Sequence, residues 1–455
     1  MALKKSAKNV NRANFLQKLT ISGYKSITKP TAIALGGLTV LAGVNSGGKS
    51  SLIQPLLLLK QTLEATHDPG PLKIDGPNVR FSELEQFFSK SKKKVLGLLS
   101  FDLEFEAQKE GFTFSAEKRV LKLENNRIEA NGVALVLSGE SSTAAELLRI
   151  LPIVLKQFLK GLKSEVDFDD TQIGLEQKRF IFTPRLLSGP VTDKPVPAEL
   201  RLMLSMLEDR VDKLSVKWVR NLIHVPGLRG VPARGYPVSG VGDSFSGRFD
   251  DYTASVIKHW QDDGDVRVGK VGAALEALGL TWKVSAENID AATVDIKIGR
   301  LPKSTRGGAR DLVSIADVGF GVSQVMPVVV ALFAARSGQA VYIEQPEIHL
   351  HPRAQMALAG LLVDAANRDV QVIVETHSAL LLTSLQTLIA QQKIAAADVK
   401  LHWVSRDANG SSVVTTAELD ADGAYGDWPV DFDETADAAT TNYLNATVFK
   451  ATASK

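Results

Sequence analysis

The sequence contains no cysteine, which excludes disulfides and thiolate metal sites and suits a reducing cytoplasm. It also lacks an excess of either charge, since 53 Lys and Arg against 51 Asp and Glu leave a formal net charge of +2. Such a balance gives no global attraction to nucleic acid, so any DNA contact must come from a local patch. The longest apolar run, 325–335, is about half of the roughly 20 residues that cross a bilayer. We therefore expect a cytoplasmic protein with no membrane partner.

What the chain does contain is the mixture of an ordinary globular protein. Its 455 residues, 44% hydrophobic and 23% charged, are enough for the cores of two or three domains. Apolar and polar residues alternate over 99–105, which predicts a strand, whereas apolar residues recur at helical spacing over 142–163. The last third alternates helix and buried strand, which indicates an α/β layer. These patterns predict a disordered basic tail at 1–12, the first half of an α/β head with an antiparallel β subdomain at 13–138, a helical insertion at 139–218, and the second half of the head at 219–455.

Residues 43–50 fit the phosphate-loop pattern G-x-x-x-x-G-K-[ST]. In this motif the glycines let backbone N–H groups curl around phosphates, Lys49 reaches the β- and γ-phosphates, and the Ser50 hydroxyl ligates Mg²⁺. An apolar strand precedes the loop and a helix follows it, which makes a chance glycine loop the weaker interpretation. Pro55 should bend that helix. The residues predicted to hold ATP are Gly43, Asn45, Ser46, Gly47, Gly48, Lys49, Ser50 and Ser51.

Two further strands are expected to complete the site. Residues 341–344 form an apolar strand that ends at Glu344, and a carboxylate in this position holds Mg²⁺ through water opposite a phosphate loop. On its own the pattern is also that of any buried strand ending in an acid. Residues 371–378 supply another buried strand, which leads to His377. Two such strands and a phosphate loop form one set.

In chain order, these motifs resemble the ABC-type ATPases of the RecF/SMC/OLD group and are most similar to AAA-family ATPases that carry a DUF3696 C-terminal region. Besides the phosphate loop, the segments that carry the resemblance are 226–236, 317–324, 343–352, 375–378 and 422–434. The resemblance implies an α/β fold, namely a P-loop ATPase head of the ABC type (RecF/SMC-like) with an antiparallel β subdomain and a helical insertion.

The resemblance also implies roles for single residues. Glu344 corresponds to the Walker B acid, His377 to the switch histidine that touches the γ-phosphate, and 349–352 to a loop that reaches the opposite subunit. Gly321 and Ser323 lie where the signature motif binds ATP across a dimer. This stretch departs from the usual Ser-Gly-Gly pattern, and a simple helix N-cap is the alternative interpretation of Ser323.

Gln345 stands where a glutamate would normally activate water. An amide cannot accept that proton at neutral pH, although glutamine orients water in some GTPases. Glu347 is the nearest carboxylate that could replace the missing base, and the alternative is that it pairs with a neighbouring basic group. The sequence therefore predicts slow hydrolysis, with ATP acting more as a clamp than as fuel.

Several other features have simpler explanations than a functional site. His349 and His351 have a spacing that suits a metal, but no third ligand is apparent nearby. Residues 420–423 are expected to form a turn, because the pattern of a calcium loop fails downstream and too little chain follows for a nuclease domain. The basic cluster 90–94 lacks interleaved aromatics and is expected to be a solvated loop. The arginines of 226–236, Arg229 and Arg234, stay open between nucleotide and DNA.

The function predicted from these features is an ATP-binding, slowly hydrolysing ATPase that uses ATP and Mg²⁺ and closes as a homodimer or higher oligomer. Relatives of this type often belong to bacterial anti-phage or mobile-element operons, so a separate effector such as a nuclease is the expected partner. The alternative is a RecF-like repair ATPase whose dimer clamps DNA, and a weaker one is purely structural ATP.

Overall fold

The computed structural model describes residues 12–91, 94–95, 97–117, 120–130, 133–138, 173–186, 214–301 and 311–426. The α-helices are α1 Lys49–Leu63, α2 Ser215–Asn221, α3 Thr253–Asp262, α4 Arg267–Ala277, α5 Phe320–Ala334, α6 Pro352–Asn367 and α7 Ala379–Ala390. The strands are β1 Lys18–Ser22, β2 Thr31–Ala34, β3 Leu38–Gly43, β4 Lys90–Ser91, β5 Lys94–Val95, β6 Leu98–Glu104, β7 Gln108–Glu117, β8 Val120–Ala130, β9 Val133–Ser138, β10 Ile173–Lys178, β11 Ile181–Leu186, β12 Ile223–Val225, β13 Tyr236–Pro237, β14 Val284–Asn288, β15 Thr293–Gly299, β16 Leu312–Ser314, β17 Ala340–Glu344, β18 Gln371–Glu375, β19 Val399–Arg406 and β20 Ser412–Ala417.

A six-stranded sheet, in the order β12–β17–β18–β3–β19–β20, carries the predicted motifs. Neighbouring strands are parallel except β20, which runs antiparallel to β19. The strands β3, β17 and β18 are buried along nearly their whole length, which explains their continuous apolar sequences. Because the carboxyl ends of parallel strands meet at one edge, β3, β17 and β18 deliver the phosphate loop and both acidic strand ends to the same place.

Side chains of this sheet alternate between two hydrophobic cores. In β3, Val40 packs into the core built with α5, α6 and α7, whereas Leu41 packs into the core that contains α1. Val341 and Tyr342 of β17 divide in the same way. Helix α1 is buried on most sides because its core also takes in the second sheet. Pro55 lies inside α1, beyond the first turn, where it removes one helical hydrogen bond.

The second sheet is the predicted antiparallel subdomain, in the order β2–β1–β6–β7–β8–β9. The strand expected at 99–105 is β6, whose buried and half-buried residues alternate. A third, smaller sheet of β13, β15, β14 and β16 packs with α3 and α4 into the core of α5. The predicted α/β class, with an antiparallel β subdomain, is therefore confirmed.

The predicted basic tail is wrong at its last residue. The Arg12 guanidinium pairs with Asp369 at 3.0 Å and with Asp398 at 2.5 Å, so two carboxylates that precede β18 and β19 fix it to the sheet. Residues 1–11 lie outside the described part of the chain.

The predicted helical insertion 139–218 contains a β-hairpin, β10–β11, so the expectation of helix alone is wrong there. Arg179 turns the chain with a φ of 59°, and its guanidinium donates to the carbonyls of Leu63 and Ala65, each at 2.8 Å. Phe180 then packs edge-on against Phe112 of β7. The hairpin thus completes the core of the second sheet. The helix predicted at 142–163 and the family-like end at 427–434 lie outside the described residues.

Among the described residues, no helix combines the length and apolar character that crossing a bilayer requires.

Candidate nucleotide-binding site

The phosphate loop connects β3 to α1 in a conformation that only glycine tolerates at two positions. Gly43 and Gly48 have φ angles of 141° and 108°. A side chain at Gly43 would place its Cβ 2.1 Å from the Val404 carbonyl oxygen, and one at Gly48 would lie 2.1 Å from the Ser412 hydroxyl. The fold therefore demands both glycines, independently of any ligand. The outer turn of the loop, residues 44–46, is exposed to solvent.

Lys49 begins α1 and folds its ammonium back into the loop. The ammonium donates to the carbonyls of Gly43 at 3.0 Å and Val44 at 2.9 Å, and the residue is only 5% exposed. Burial lowers the pKa of Lys49, while the charges of Glu375 and Glu347 act in the opposite direction. A cation surrounded by loop carbonyls is poised to exchange them for phosphate oxygens, which are the stronger acceptors.

Ser50 faces an acid that the sequence had not singled out. Its hydroxyl donates to Oε2 of Glu375 at 2.8 Å, and the Tyr342 hydroxyl donates to Oε1 of the same carboxylate. Glu375 ends β18, the strand next to β3, and is 2% exposed. Burial, together with the charge of Glu344 on the adjacent strand, raises the pKa of Glu375 to about 7.

Glu344 ends β17 and lies opposite Glu375 in the strand register. Its Oε1 contacts Nε2 of His224 at 3.1 Å, and its Oε2 accepts the Gly227 N–H at 3.0 Å. Burial would raise the pKa of Glu344, but the contact with His224 and the hydrogen bonds from the Gly227 N–H and the Tyr342 hydroxyl together outweigh burial, and the pKa is lowered. The His224 ring stacks on Tyr342, with centroids 5.4 Å apart. The predicted Walker B acid is thus at the expected strand end, with both oxygens engaged by 224–227.

Gln345 is held by its backbone on both sides. Its φ is 43°, its N–H donates to the Glu375 carbonyl at 2.9 Å, and its own carbonyl accepts from Arg229 Nη2 at 2.9 Å. These bonds fix where the chain turns after β17. The amide side chain takes no part in these backbone bonds, and its oxygen lies near Gly227.

Glu347 is a buried carboxylate with one oxygen in use. Oε1 accepts the His377 N–H at 2.7 Å, whereas Oε2 is inaccessible to solvent and has no hydrogen-bond partner among the described residues. Burial raises the pKa of Glu347 above its ordinary value. A carboxylate with a raised pKa and a free oxygen has the properties of a general base.

Arg229, from the loop that follows β12, approaches the same segment. Its guanidinium is 4% exposed, and apart from the bond to Gln345 two of its nitrogens, Nε and Nη1, have no partner among the described residues. Burial lowers the pKa of Arg229 to about 10, against the charges of Asp250, Glu347 and Glu344. The Arg229 carbonyl accepts from the Gln324 amide at 2.6 Å, which links this arginine to α5.

His377 lies beside the phosphate loop, as its predicted role requires. Burial lowers the pKa of its imidazole, and the charge of Lys49 lowers it further, whereas a contact with the Gly43 backbone raises it. The neutral form is therefore favoured, and that form donates through one nitrogen and accepts through the other.

The structure corrects the predicted start of helix α5. The helix begins at Phe320 with Gly319 as its N-cap, so the N-cap interpretation of Ser323 is wrong. The Ser323 hydroxyl instead donates to the Phe320 carbonyl at 3.0 Å and is turned inward. Phe320 is half exposed and lies 5.8 Å from the His349 ring, and a Cβ on Gly321 would lie 3.3 Å from the His349 carbonyl oxygen. The signature-like stretch therefore contacts the loop 349–352 within one chain.

The features given simpler explanations have different outcomes. The solvated loop expected at 90–94 is wrong at its described residues, because Lys90 and Ser91 form β4, which pairs antiparallel with β5 at Lys94 and Val95. Asp420 caps a turn by accepting the N–H groups of Asp422 and Ala424, and Arg234 pairs with Asp317 at 2.5 Å. In the described part of the chain, no three His, Cys, Asp or Glu side chains are grouped to hold a metal.

The donors at the loop fit Mg²⁺ only together with a nucleotide. The Ser50 hydroxyl and the carboxylates of Glu375 and Glu344 are hard oxygen ligands, which Mg²⁺ prefers. They are too few to form a cage, so phosphate oxygens and waters would have to complete the octahedron. The sequence did not single out Glu375, Tyr342 or His224 as site residues, because only the order of the strands brings them together.

Residues 224–383 match a family model described as "AAA domain, putative AbiEii toxin, Type IV TA system". Three solved structures are similar over 89% of this chain. The SmcHead bound to the C-winged helix domain of ScpA has 12% identity, 98% of its chain covered and a TM-score of 0.45. The SMC head domain from Thermotoga maritima has 14% identity, with 99% of its chain covered and a TM-score of 0.37. The third structure is the Smc head domain with an extended coiled coil bound to the C-terminal domain of ScpA derived from Pyrococcus furiosus. It has 12% identity, with 96% of its chain covered and a TM-score of 0.43. No curated protein matches the chain.

Proposed function

We propose that this chain is an ATP-binding, slowly hydrolysing ATPase of the ABC type that works as an ATP-dependent dimerisation switch. The observation that carries the proposal is the meeting of three motifs at one sheet edge. Lys49 lies inside the phosphate loop, the Ser50 hydroxyl contacts the acid that ends the next strand, and His377 follows that acid. The match of 224–383 to an AAA-domain model supports the same function.

Each residue has a defined task in this proposal. Lys49 and the N–H groups of the loop bind phosphate, Ser50 holds Mg²⁺ together with an acid that ends one of the two strands, Glu344 or Glu375, and Glu347 accepts a proton from the attacking water. When bound, Mg²⁺ would neutralise charge on the β- and γ-phosphates. His377, held by its N–H on Glu347, keeps that carboxylate beside the loop.

Slow turnover follows from how the base is supplied. Gln345 cannot take a proton at neutral pH, and the carboxylate of Glu347 is two residues further along, committed by one oxygen to His377. Gln345, the residue that follows Glu344 at the strand end, is therefore unable to act as the base. Binding and closure, more than hydrolysis, are then the output of the site.

Dimer closure is proposed through the start of α5. Gly319 gives this helix no side-chain cap, and Phe320 is exposed over half its surface, so the first N–H groups are available to the γ-phosphate held by a second copy. Ser323 is turned inward, so backbone N–H groups of 319–321 are better placed than its hydroxyl to make that contact.

The biological setting we propose is bacterial defence in the cytoplasm with a separate effector, for example a nuclease. The matching family is described in terms of an AbiEii toxin and a type IV toxin–antitoxin system, which supports a setting of this kind. Co-purification of the chain with the product of a neighbouring gene would support the effector. ATP hydrolysis that DNA stimulates, with a steep salt dependence, would instead favour a RecF-like DNA clamp.

Equilibrium binding of ATP and release of phosphate test the proposal. The wild-type chain should bind ATP with Mg²⁺ and hydrolyse it below about 1 s⁻¹, the low end of ordinary enzyme turnover. Lys49→Ala removes charged hydrogen bonds worth about 1.5–3 kcal/mol each, so ATP affinity should fall at least about ten-fold. Wild-type affinity in Lys49→Ala would refute the assignment of the loop. Lys18→Ala, which changes an exposed lysine of β1 in the other sheet, is the control and should bind normally.

A further inference from the structure

The acid closest to the phosphate loop is Glu375. The strand order is β17–β18–β3, so Glu375 ends the strand that adjoins the phosphate-loop strand, whereas Glu344 ends the strand beyond it. Neighbouring strands lie about 4.8 Å apart, which places the end of β17 roughly twice as far from β3 as the end of β18.

Side-chain contacts follow this order. The Ser50 hydroxyl donates to Glu375 Oε2 at 2.8 Å, across 325 positions of the sequence. The Tyr342 hydroxyl holds the other oxygen, which fixes the plane of the carboxylate. Among the described residues no Lys, Arg or His forms an ion pair with Glu375, although it is 2% exposed. The charge of Lys49 acts on Glu375 without forming an ion pair with it. A buried carboxylate that lacks a paired cation is costly unless one joins it.

The carboxylate of Glu344 has different hydrogen-bond partners. Its two oxygens are taken by the His224 ring of β12 and by the Gly227 N–H just after β12, and β12 lies on the side of β17 that is away from β3. These contacts order the 224–227 segment.

We propose that Glu375, rather than Glu344, is the protein carboxylate that supports the nucleotide's Mg²⁺, together with the Ser50 hydroxyl that it contacts. This inference rests on the proposed function, because the phosphate oxygens must supply the remaining ligands. Glu344 is then a positioning residue, which fixes the His224–Gly227 segment and the strand end that leads to Gln345.

The test measures the binding of a fluorescent ATP analogue with and without Mg²⁺, in the wild-type chain and in Glu375→Gln and Glu344→Gln. Glutamine preserves size and accepts a hydrogen bond from Ser50, and it removes the charge that Mg²⁺ would need. Glu375→Gln should reduce the gain in affinity that Mg²⁺ provides by about ten-fold or more. Glu344→Gln should keep most of that gain.

A second measurement keeps the test independent of folding. Binding of the analogue in EDTA reports an intact loop, and Glu375→Gln should match the wild type there within about two-fold, since neither acid contacts the nucleotide without the metal. Tyr342→Phe is the matched control, because it removes a hydroxyl from Glu375 and leaves the charge.

The outcomes separate this inference from the proposed function. If the wild-type chain binds the analogue and Glu375→Gln keeps the full Mg²⁺ effect, or Glu344→Gln alone loses it, the assignment of Glu375 is wrong and the ATPase proposal stands. If Glu375→Gln has lost binding in EDTA as well, its role is structural and the assignment is also wrong. A wild-type chain that binds no analogue under any condition refutes the ATPase proposal, and this inference with it.

Discussion

At the residue scale, the contrast between Gln345 and Glu347 decides what the site does. Both lie in the turn after β17, yet Gln345 is anchored by its backbone and Glu347 by one carboxylate oxygen. The sequence suggested Glu347 as a substitute base because no other carboxylate was near. The structure adds a physical reason, since burial raises its pKa and leaves Oε2 without a partner among the described residues.

The first prediction concerns Glu347. Glu347→Gln retains an oxygen for the His377 N–H and loses the ability to take a proton, so single-turnover hydrolysis should slow by about 10²–10⁴-fold while ATP affinity stays within about two-fold. Gln345→Ala is the comparison variant, two residues before Glu347 in the same turn, and it should alter the rate of hydrolysis only a few-fold. Fast turnover that Gln345→Ala abolishes and Glu347→Gln leaves intact would rule out Glu347 as the base.

A second residue-scale prediction concerns Arg229. Its buried guanidinium holds the Gln345 carbonyl, so Arg229→Met should free the turn that carries Gln345 and Glu347 without touching the phosphate loop. Losing a charged hydrogen bond of about 1.5–3 kcal/mol corresponds to a turnover about 10–100-fold lower, with ATP affinity unchanged.

Arg234→Met provides the control for this prediction. Arg234 lies in the same loop, is 73% exposed and pairs only with Asp317 in the described chain, so its loss should change neither rate nor affinity. Equal turnover in Arg229→Met and the wild type would show that the guanidinium does not position the turn.

At the scale of elements, local chemistry was predictable and pairing between strands was not. Short-range patterns predict the phosphate loop, helix α1 and strands β17 and β18, because glycine spacing and apolar runs involve only residues that are close in sequence. The contact between Ser50 and Glu375 depends on which strand lies next to β3, and no local pattern specifies that order.

The start of α5 was misjudged for a related reason. Ser323 is a favoured N-cap residue, and Gly319 is a weaker signal for the same position. Packing of Phe320 on His349 and the bond from Gln324 to the Arg229 carbonyl set the actual start, and both are tertiary contacts. The β10–β11 hairpin was missed likewise, since Phe180 and its neighbours gain burial only against the second sheet.

A prediction at this scale concerns His402 of β19, which joins two sheets. It is fully buried, and its imidazole contacts the Ala34 carbonyl of β2 at 2.7 Å and the Thr416 hydroxyl of β20 at 2.9 Å. Burial lowers the pKa of His402 below its ordinary value of about 6.5. The unfolded chain therefore binds the proton first, so this stability is complete above about pH 6.5 and is lost as pH falls through the folded pKa.

Thermal unfolding at pH 7.5 and pH 5 measures this effect, and the wild-type chain should lose on the order of 1 kcal/mol at the lower pH through His402. His402→Gln can still donate and accept and does not titrate, so it should show a smaller difference between the two pH values. His377, whose pKa is lowered too, is present in both proteins and cancels in the comparison. The same pH dependence in both would show that His402 is not responsible.

At the scale of the whole molecule, the fold places a nucleotide site between two hydrophobic cores. One core is formed by α1, the second sheet and one face of the central sheet. The other is formed by α5 to α7, the third sheet and the opposite face of the central sheet. The phosphate loop starts α1 and the signature-like stretch starts α5, so the two halves of the proposed ATP sandwich belong to opposite cores. One chain therefore carries the phosphate loop and the signature-like stretch at separate places, and in the proposed dimer a second copy supplies the complementary half to each.

Molar mass by light scattering, with and without ATP and Mg²⁺, tests this account most directly. Glu347→Gln is the form to use, because it should bind ATP and hydrolyse it too slowly to reopen during the measurement. The account predicts that ATP at least doubles its mass, and that adding Lys49→Ala to the same chain prevents the change. A mass that ATP leaves unaltered in Glu347→Gln, or an equal ATP-dependent assembly with Lys49→Ala present, would contradict the nucleotide-driven dimer.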